Sequence, residues 1–249
     1  WALRKKGVGL LGNAKGARRP VAFVEDTVVP PANLRPYIRE FRAILDEAGL
    51  EYGMFGHIDV GCLHVRPALN LLDPDDERLL RQISDQVVEL VQRYGGQIWG
   101  EHGKGMRSEY NPRFFGDELY LQLCRIKAAF DPHNQLNPGK LAVPEGFDAT
   151  LVTVDTPKRG ALDRQIAPEV RDAFETVVNC NGNGACFDVN PDDVMCPSSK
   201  ITRSRIHSPK GRAGVMREWL RQLSVAGVKP ANVTSGGLLE RARNSRAGD

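Results

Sequence analysis

The sequence lacks any apolar run approaching the ~18 residues a membrane-spanning helix needs, so no transmembrane segment is expected. Its first residues, WALRKKGVGLLGNAKG, lack the long apolar stretch and small-residue cleavage site of an export signal. Strong net charge is missing too: 34 Lys+Arg stand against 31 Asp+Glu in 249 residues. With 41% hydrophobic and 26% charged residues the composition is ordinary, which excludes a disordered, collagenous or coiled-coil chain. Cysteine is scarce and odd in number, five in all, and Cys180, Cys186 and Cys196 crowd into 17 residues. A disulfide scaffold is therefore not expected. A reducing compartment, the cytoplasm, with metal ligation by the crowded three, fits better.

Charge is unevenly spread. Residues 198–249 carry eleven Lys+Arg against three Asp+Glu, and residues 1–197 carry 23 against 28. The basic tail reads as a solvated face, with an acidic or nucleic-acid partner as the sharper alternative. Composition divides the chain in three. Residues 1–143 are rich in periodic apolar residues, 144–167 are polar with scattered Pro and Gly and read as a linker, and 168–249 are mainly helical around a cysteine-containing loop.

Periodicity predicts the elements of the first part. VAFVEDTVV (21–29) reads as a strand. Leu34, Ile38, Phe41 and Leu45 at helical spacing make 32–48 an amphipathic helix. YGMFGHID (52–59) and GCLHVRPAL (61–69) are strands around a tight turn. Asp73 and Pro74 open a helix that runs to Tyr94, where Gly95–Gly96 stop it. GQIWGE (96–101) is a last strand. The order β-α-β-β-α-β predicts an α+β, ferredoxin-like antiparallel sheet with helices on one face. A further helix over 114–130 would place Cys124 on an apolar face.

Three histidines carry the chemistry. His57 and His64 lie seven apart across the hairpin, and Glu101-His102 closes the next strand. Such a hairpin brings two imidazoles to one end of a sheet, where a neighbouring carboxylate completes a two-His, one-carboxylate site for Zn²⁺, Mn²⁺ or Fe²⁺. Paired hairpin histidines are also often satisfied core residues, so spacing alone leaves both readings open. The dense glycines Gly56, Gly61, Gly100, Gly103 and Gly105 favour close approach of a ligand. A flavin-independent metallohydrolase fits the same three residues. An RNA-recognition sheet does not, because its central strands would show stacking aromatics where HID and LHV stand.

FGHIDVGCLHVRP, GGQIWGEHGKG and FDPHNQLNPGKL together resemble the C-terminal cap domain of the FAD-linked oxidases, the family of D-lactate, glycolate and D-2-hydroxyglutarate dehydrogenases. The resemblance implies that His57, His64 and Glu101 bind a divalent metal, usually zinc, that holds the 2-hydroxyl and carboxylate of a small 2-hydroxyacid. It implies His102 as the general base, Arg4 as a partner of the substrate carboxylate, and Asn137 as a neighbour of the flavin. FAD itself would be held mostly by a half preceding Trp1, so the chain reads as the middle of a longer polypeptide. D-2-hydroxyglutarate is the first expectation for the substrate, with D-lactate or glycolate as alternatives. One departure stands out: the family hairpin usually reads H-x-G-D-G-N-L-H, and here HIDVGCLH puts Cys62 in place of the asparagine and Asp59 one place early.

The loop CNGNGACFDVNPDDVMCPS has the spacing C-x5-C-x9-C-P. A bacterial ferredoxin run, C-x2-C-x2-C-x3-C-P, has a cysteine where Asn183 stands here. Cys180, Cys186 and Cys196 read as ligands of a 4Fe-4S cluster, ahead of a vestigial loop or a structural zinc set. The following CPSSKITRSRIHSPKGRAGVMREWLRQL resembles the iron–sulfur regions that accompany glycolate and D-2-hydroxyglutarate dehydrogenases. Ser208 there is a natural N-cap for a helix beginning at Pro209. No nucleic-acid partner is expected. The electron acceptor and oligomeric state stay unassigned, with a homo-oligomer and membrane association through an electron-transfer partner both left open.

Overall fold

The computed structural model describes residues 16–103, 105–179, 184–192 and 195–232. The described residues up to Pro157 form one compact unit, and those from Lys158 form a second. Arg4, Cys180 and Asn183 lie outside the described residues.

The first unit is a twisted antiparallel sheet with two helices packed on one face. Strand β4 (Cys62–Leu69) is its centre. β3 (Tyr52–His57) pairs along one edge of β4, while β1 (Arg19–Pro20) and β2 (Thr27–Val28) pair along the other. Residues alternate between faces in a strand. Leu63, Val65 and Leu69 therefore enter the core with Phe41 and Leu45 of α1 (Leu34–Glu47) and Ile83, Val87, Leu90 and Val91 of α2 (Pro74–Arg93). Cys62, His64 and Arg66 are left on the other face.

Local signals explain both helices. α1 buries Leu34, Tyr37, Phe41 and Leu45 at three- and four-residue spacing. α2 opens with Asp73 Oδ1 accepting from Asp75 N at 2.9 Å, and Gly95, with φ of +66°, lies just past its end.

Three expectations need correction. The strand expected over 21–29 pairs regularly only at 27–28, because Asp26 takes a left-handed φ of 72°. The strand expected over 96–101 shrinks to a single bridge in which Val28 and Gln97 exchange both backbone hydrogen bonds at 2.8 Å. Beyond it the amides of Gly100, Glu101 and His102 turn to the Asp26 carboxylate instead of extending the ladder. Thus the strand order is ferredoxin-like, with the fourth strand reduced to one residue. Finally, α3 (Asn111–Phe130) breaks at Gly116, and Cys124 is half-buried rather than in the core. Leu119, Ile126 and Phe130 on this helix are exposed, while Phe114 in its first turn packs against the core of this unit.

The hairpin connection is four residues, not a tight turn, and its last position is conformationally demanding. Gly61 has φ of +72°, and a Cβ there would lie 2.0 Å from the Val29 carbonyl oxygen. Gly61→Ala should destabilise the unit by at least ~2 kcal/mol, from the left-handed backbone penalty together with this collision. Thermal unfolding of the variant checks this, and an unchanged Tm would mean that the hairpin re-forms around the side chain.

Residues 144–157 run along the first unit, with Val154 in its core. The second unit begins with α4 (Arg159–Asp163), α5 (Pro168–Ala173) and α6 (Glu175–Val178). It continues with α7 (Pro197–Thr202) and α8 (Pro209–Val225). Its core joins Ile166, Val170 and Leu220. Ser208 caps α8 by accepting from Gly211 N at 3.1 Å.

Candidate metal centre

The site occupies the sheet face opposite the helices. β3 and β4 are in a register that pairs Phe55 with His64 and His57 with Cys62, so alternation sends both imidazoles to the same face. Glu101 meets them from the loop after the Gln97 bridge. Its Oε1 lies 3.0 Å from His57 Nε2 and 3.0 Å from His64 Nε2. The three ligand atoms lie within 4.8 Å of one another. The structure therefore brings His57, His64 and Glu101 together.

The donor set suits a divalent ion. His64 is 1% exposed, yet neither ring nitrogen has a hydrogen-bond partner of acceptable geometry among the described residues. A buried imidazole without partners is costly unless something else occupies its lone pair. Burial, and next the neighbouring His102, push the His64 imidazole below its usual range, although Glu25, Asp26 and Glu101 pull the other way. It is thus neutral near pH 7, the form a metal requires. The Glu101 carboxyl is held below the usual range, first by its hydrogen bond with His57.

His102 stacks on His64, with ring centroids 4.8 Å apart and planes at 21°. Its Nε2 lies 3.6 Å from Glu101 Oε1, beside the ligand set and half-exposed. A cleft of about 640 Å³ opens at the site, lined by His57 and Glu101 with Cys62, Val60 and Trp99. Asn137 is not drawn into this cluster. It is exposed, with φ of 49°, in the turn where its carbonyl accepts from Lys140 N.

The most important groups missed by sequence reasoning are Glu25 and Asp26. Asp26 is fully buried and accepts from the amides of Gly100 at 2.7 Å, His102 at 2.8 Å and Glu101 at 3.0 Å. Burial pushes its carboxyl up, but the three amides outweigh this and hold it below the ordinary carboxylate range. Glu25 is held by Arg66, Nε to Oε2 at 2.6 Å and Nη2 to Oε1 at 3.0 Å. The half-buried Arg107 guanidinium donates to the carbonyls of Glu25 and Ile98. One signal could have exposed the pair: VAFVEDTVV sets two adjacent carboxylates inside an apolar run, where unpaired acids are almost never buried.

Cys62 is buried, and its thiol is pushed up to about 12, by burial first and then by Asp26. It stays protonated, 3.6 Å from Asp26 Oδ1, and serves as a weak donor. Cys186 sits on a single 3-10 turn, and Cys196 Sγ lies 3.4 Å from the His207 carbonyl. Among the described residues neither belongs to a group of three metal-capable side chains.

Sheet order, helix placement and a His-His-Glu centre on the open face define a cap of the flavin-linked oxidase type. Residues 1–141 match the family described as FAD linked oxidases, C-terminal domain, and the chain belongs to that family. Over 254 residues it is 58% identical to a D-2-hydroxyglutarate dehydrogenase of Escherichia coli (strain K12), covering 98% of this chain and 25% of that protein. A protein of the same name from Pseudomonas putida is 55% identical over 99% of this chain and 25% of its own length. A D-lactate dehydrogenase of Archaeoglobus fulgidus is 35% identical over 51% of this chain and 28% of its own length. The chain thus spans about a quarter of the length of the D-2-hydroxyglutarate dehydrogenases it matches. Among the described residues no helix is long and apolar enough to cross a membrane.

Proposed function

We propose that the intact protein is an FAD-dependent dehydrogenase of a D-2-hydroxyacid, D-2-hydroxyglutarate first, and that this chain supplies its metal centre and general base. One observation carries the reading: two hairpin imidazoles meet one carboxylate oxygen at 3.0 Å each, and among the described residues neither ring nitrogen of the buried His64 has a hydrogen-bond partner of acceptable geometry. The relatives' names supply the substrate class.

His57, His64 and Glu101 would hold a divalent ion, zinc being the first expectation. When bound, that ion would supply Lewis-acid chemistry that lowers the pKa of the substrate hydroxyl, and FAD held by the intact protein would supply the hydride acceptor. His102, beside the ligands, takes the hydroxyl proton on Nε2. Among the described residues the cleft lining contains no lysine or arginine. The substrate carboxylates therefore need the metal and cations outside that lining, and Arg4 is the proposed partner, as Asn137 is the proposed flavin neighbour. Cys180, Cys186 and Cys196 stay proposed cluster ligands in the intact protein.

Metal analysis of the purified intact protein, together with turnover of D-2-hydroxyglutarate, D-lactate and glycolate using an artificial acceptor, tests the proposal. Stoichiometric zinc, or another divalent ion, and a preference for D-2-hydroxyglutarate are expected. Loss of turnover on chelation and its return on adding the ion would support the metal role. Full activity after complete metal removal would sink it.

A further inference from the structure

Behind the metal centre, on the Nδ1 side of the histidines, lies a carboxylate with spare acceptor capacity. We propose that Glu25 is a positioning residue whose Oε1 is the shared acceptor for the Nδ1–H groups of His64 and His102, so that one buried carboxylate orients a metal ligand and the proton acceptor together. This rests on the functional reading above.

The geometry begins with the stack. His64 and His102 lie nearly parallel, and the Nδ1 atoms of both rings approach the same Glu25 oxygen. Glu25 Oε1 is the nearest carboxylate oxygen to both, 3.5 Å from His102 Nδ1 and 3.8 Å from His64 Nδ1. These separations are longer than a formed hydrogen bond, and a few tenths of an ångström of ring movement would close them. Among the described residues Asp26 Oδ1 is the one rival, at 4.0 and 3.9 Å.

Lone-pair accounting decides between the two. Each carboxylate oxygen offers about two acceptor sites. Asp26 Oδ1 already takes Glu101 N and the Cys62 thiol, while Oδ2 takes Gly100 N and His102 N. Asp26 is full. Among the described residues Glu25 takes one Arg66 donor on each oxygen, which leaves an acceptor site on Oε1. Arg66 also neutralises it, which allows the charge to sit at 4% exposure.

The chemical consequence follows from the tautomer. A proton held on Nδ1 leaves Nε2 with its lone pair. The Nε2 atoms of both rings face Glu101 Oε1, at 3.0 Å from His64 and 3.6 Å from His102. His64 is thereby set to ligate and His102 to accept a proton. Metal-bound histidines commonly donate their second ring N–H to a carboxylate, and loss of that partner typically weakens metal binding 10–100-fold.

The test compares wild type with Glu25→Gln, which keeps the shape and removes the charge, and with Glu25→Asp, which keeps the charge and shortens the reach. Zinc affinity is read by competition with a chelator, and the His102 tautomer by ¹⁵N NMR of the ring. Glu25→Gln should bind zinc ~10–100-fold more weakly and convert His102 from the Nδ1–H form to a mixture, with Glu25→Asp intermediate. A carboxylate that merely neutralised Arg66 would cost stability in Glu25→Gln and move neither readout, and that result overturns the proposal. Wild-type protein that binds no zinc would defeat the metal centre itself, and the His102 tautomer would still decide the role of Glu25.

Discussion

Replacing His102, the proposed general base, by alanine in the intact protein should lower kcat by ~10²–10⁴-fold, the usual contribution of such a group. A divalent ion held as proposed by His57, His64 and Glu101 should stay bound, and KM should change little. His57, His64 and Glu101 converge without help from the His102 ring, since their contacts run directly between Nε2 and Oε1 atoms. Substrate held through the metal and Arg4 would still bind, so the loss should fall on turnover. A retained kcat at saturating substrate would remove His102 from the mechanism. His64→Ala should behave differently: it deletes a buried ligand, so zinc content and kcat should fall together.

The second large effect belongs to a residue that touches neither metal nor substrate. Asp26→Asn should destabilise the first unit by ~2–4 kcal/mol, because an unsatisfied buried donor costs ~1–3 kcal/mol and the amide cannot accept from all three amides of residues 100–102. The left-handed φ of 72° is tolerated by asparagine, so the loss should come from hydrogen bonding rather than backbone strain. Zinc affinity should fall as well, since Glu101 N is one of the donors released. The pH dependence has a definite sign. The folded-state carboxyl titrates below its ordinary range, so its contribution is fully present above the unfolded pKa of ~3.9 and is lost as pH falls through the lower folded value. Urea unfolding of wild type and Asp26→Asn between pH 7 and 2.5 checks this. The gap between them should be widest at pH 7 and narrow only below pH 4. A constant gap would mean that Asp26 does not act through its charge.

The supporting carboxylates show where local reading reaches its limit. Helices α1 and α2 follow from apolar spacing and from the Asp73 cap and the Gly95 stop, all of them local signals. The same holds for α8 and its Ser208 cap. Strand 21–29 is β-rich by composition, yet only Thr27–Val28 pair as a strand, because Asp26 leaves the ladder. A tertiary demand, three amides arriving from residues 100–102, outweighs strand propensity. The strand expected over 96–101 fails for the complementary reason, since its amides are satisfied by a carboxylate 74 to 76 positions away rather than by a neighbouring strand.

By itself the sequence determined the βαββαβ order, the hairpin that sets His57 and His64 on one face, and the family motifs that nominate Glu101 and His102. Period-two alternation and short-range spacing are properties of the chain, and they survive in the folded molecule. Only the tertiary structure decided that Glu25 and Asp26 stand behind those histidines, that Cys62 stays a buried thiol, and that Asn137 lies exposed in a turn. Each of these depends on contacts between residues tens of positions apart, and on which lone pairs those contacts leave unfilled. No local pattern encodes that.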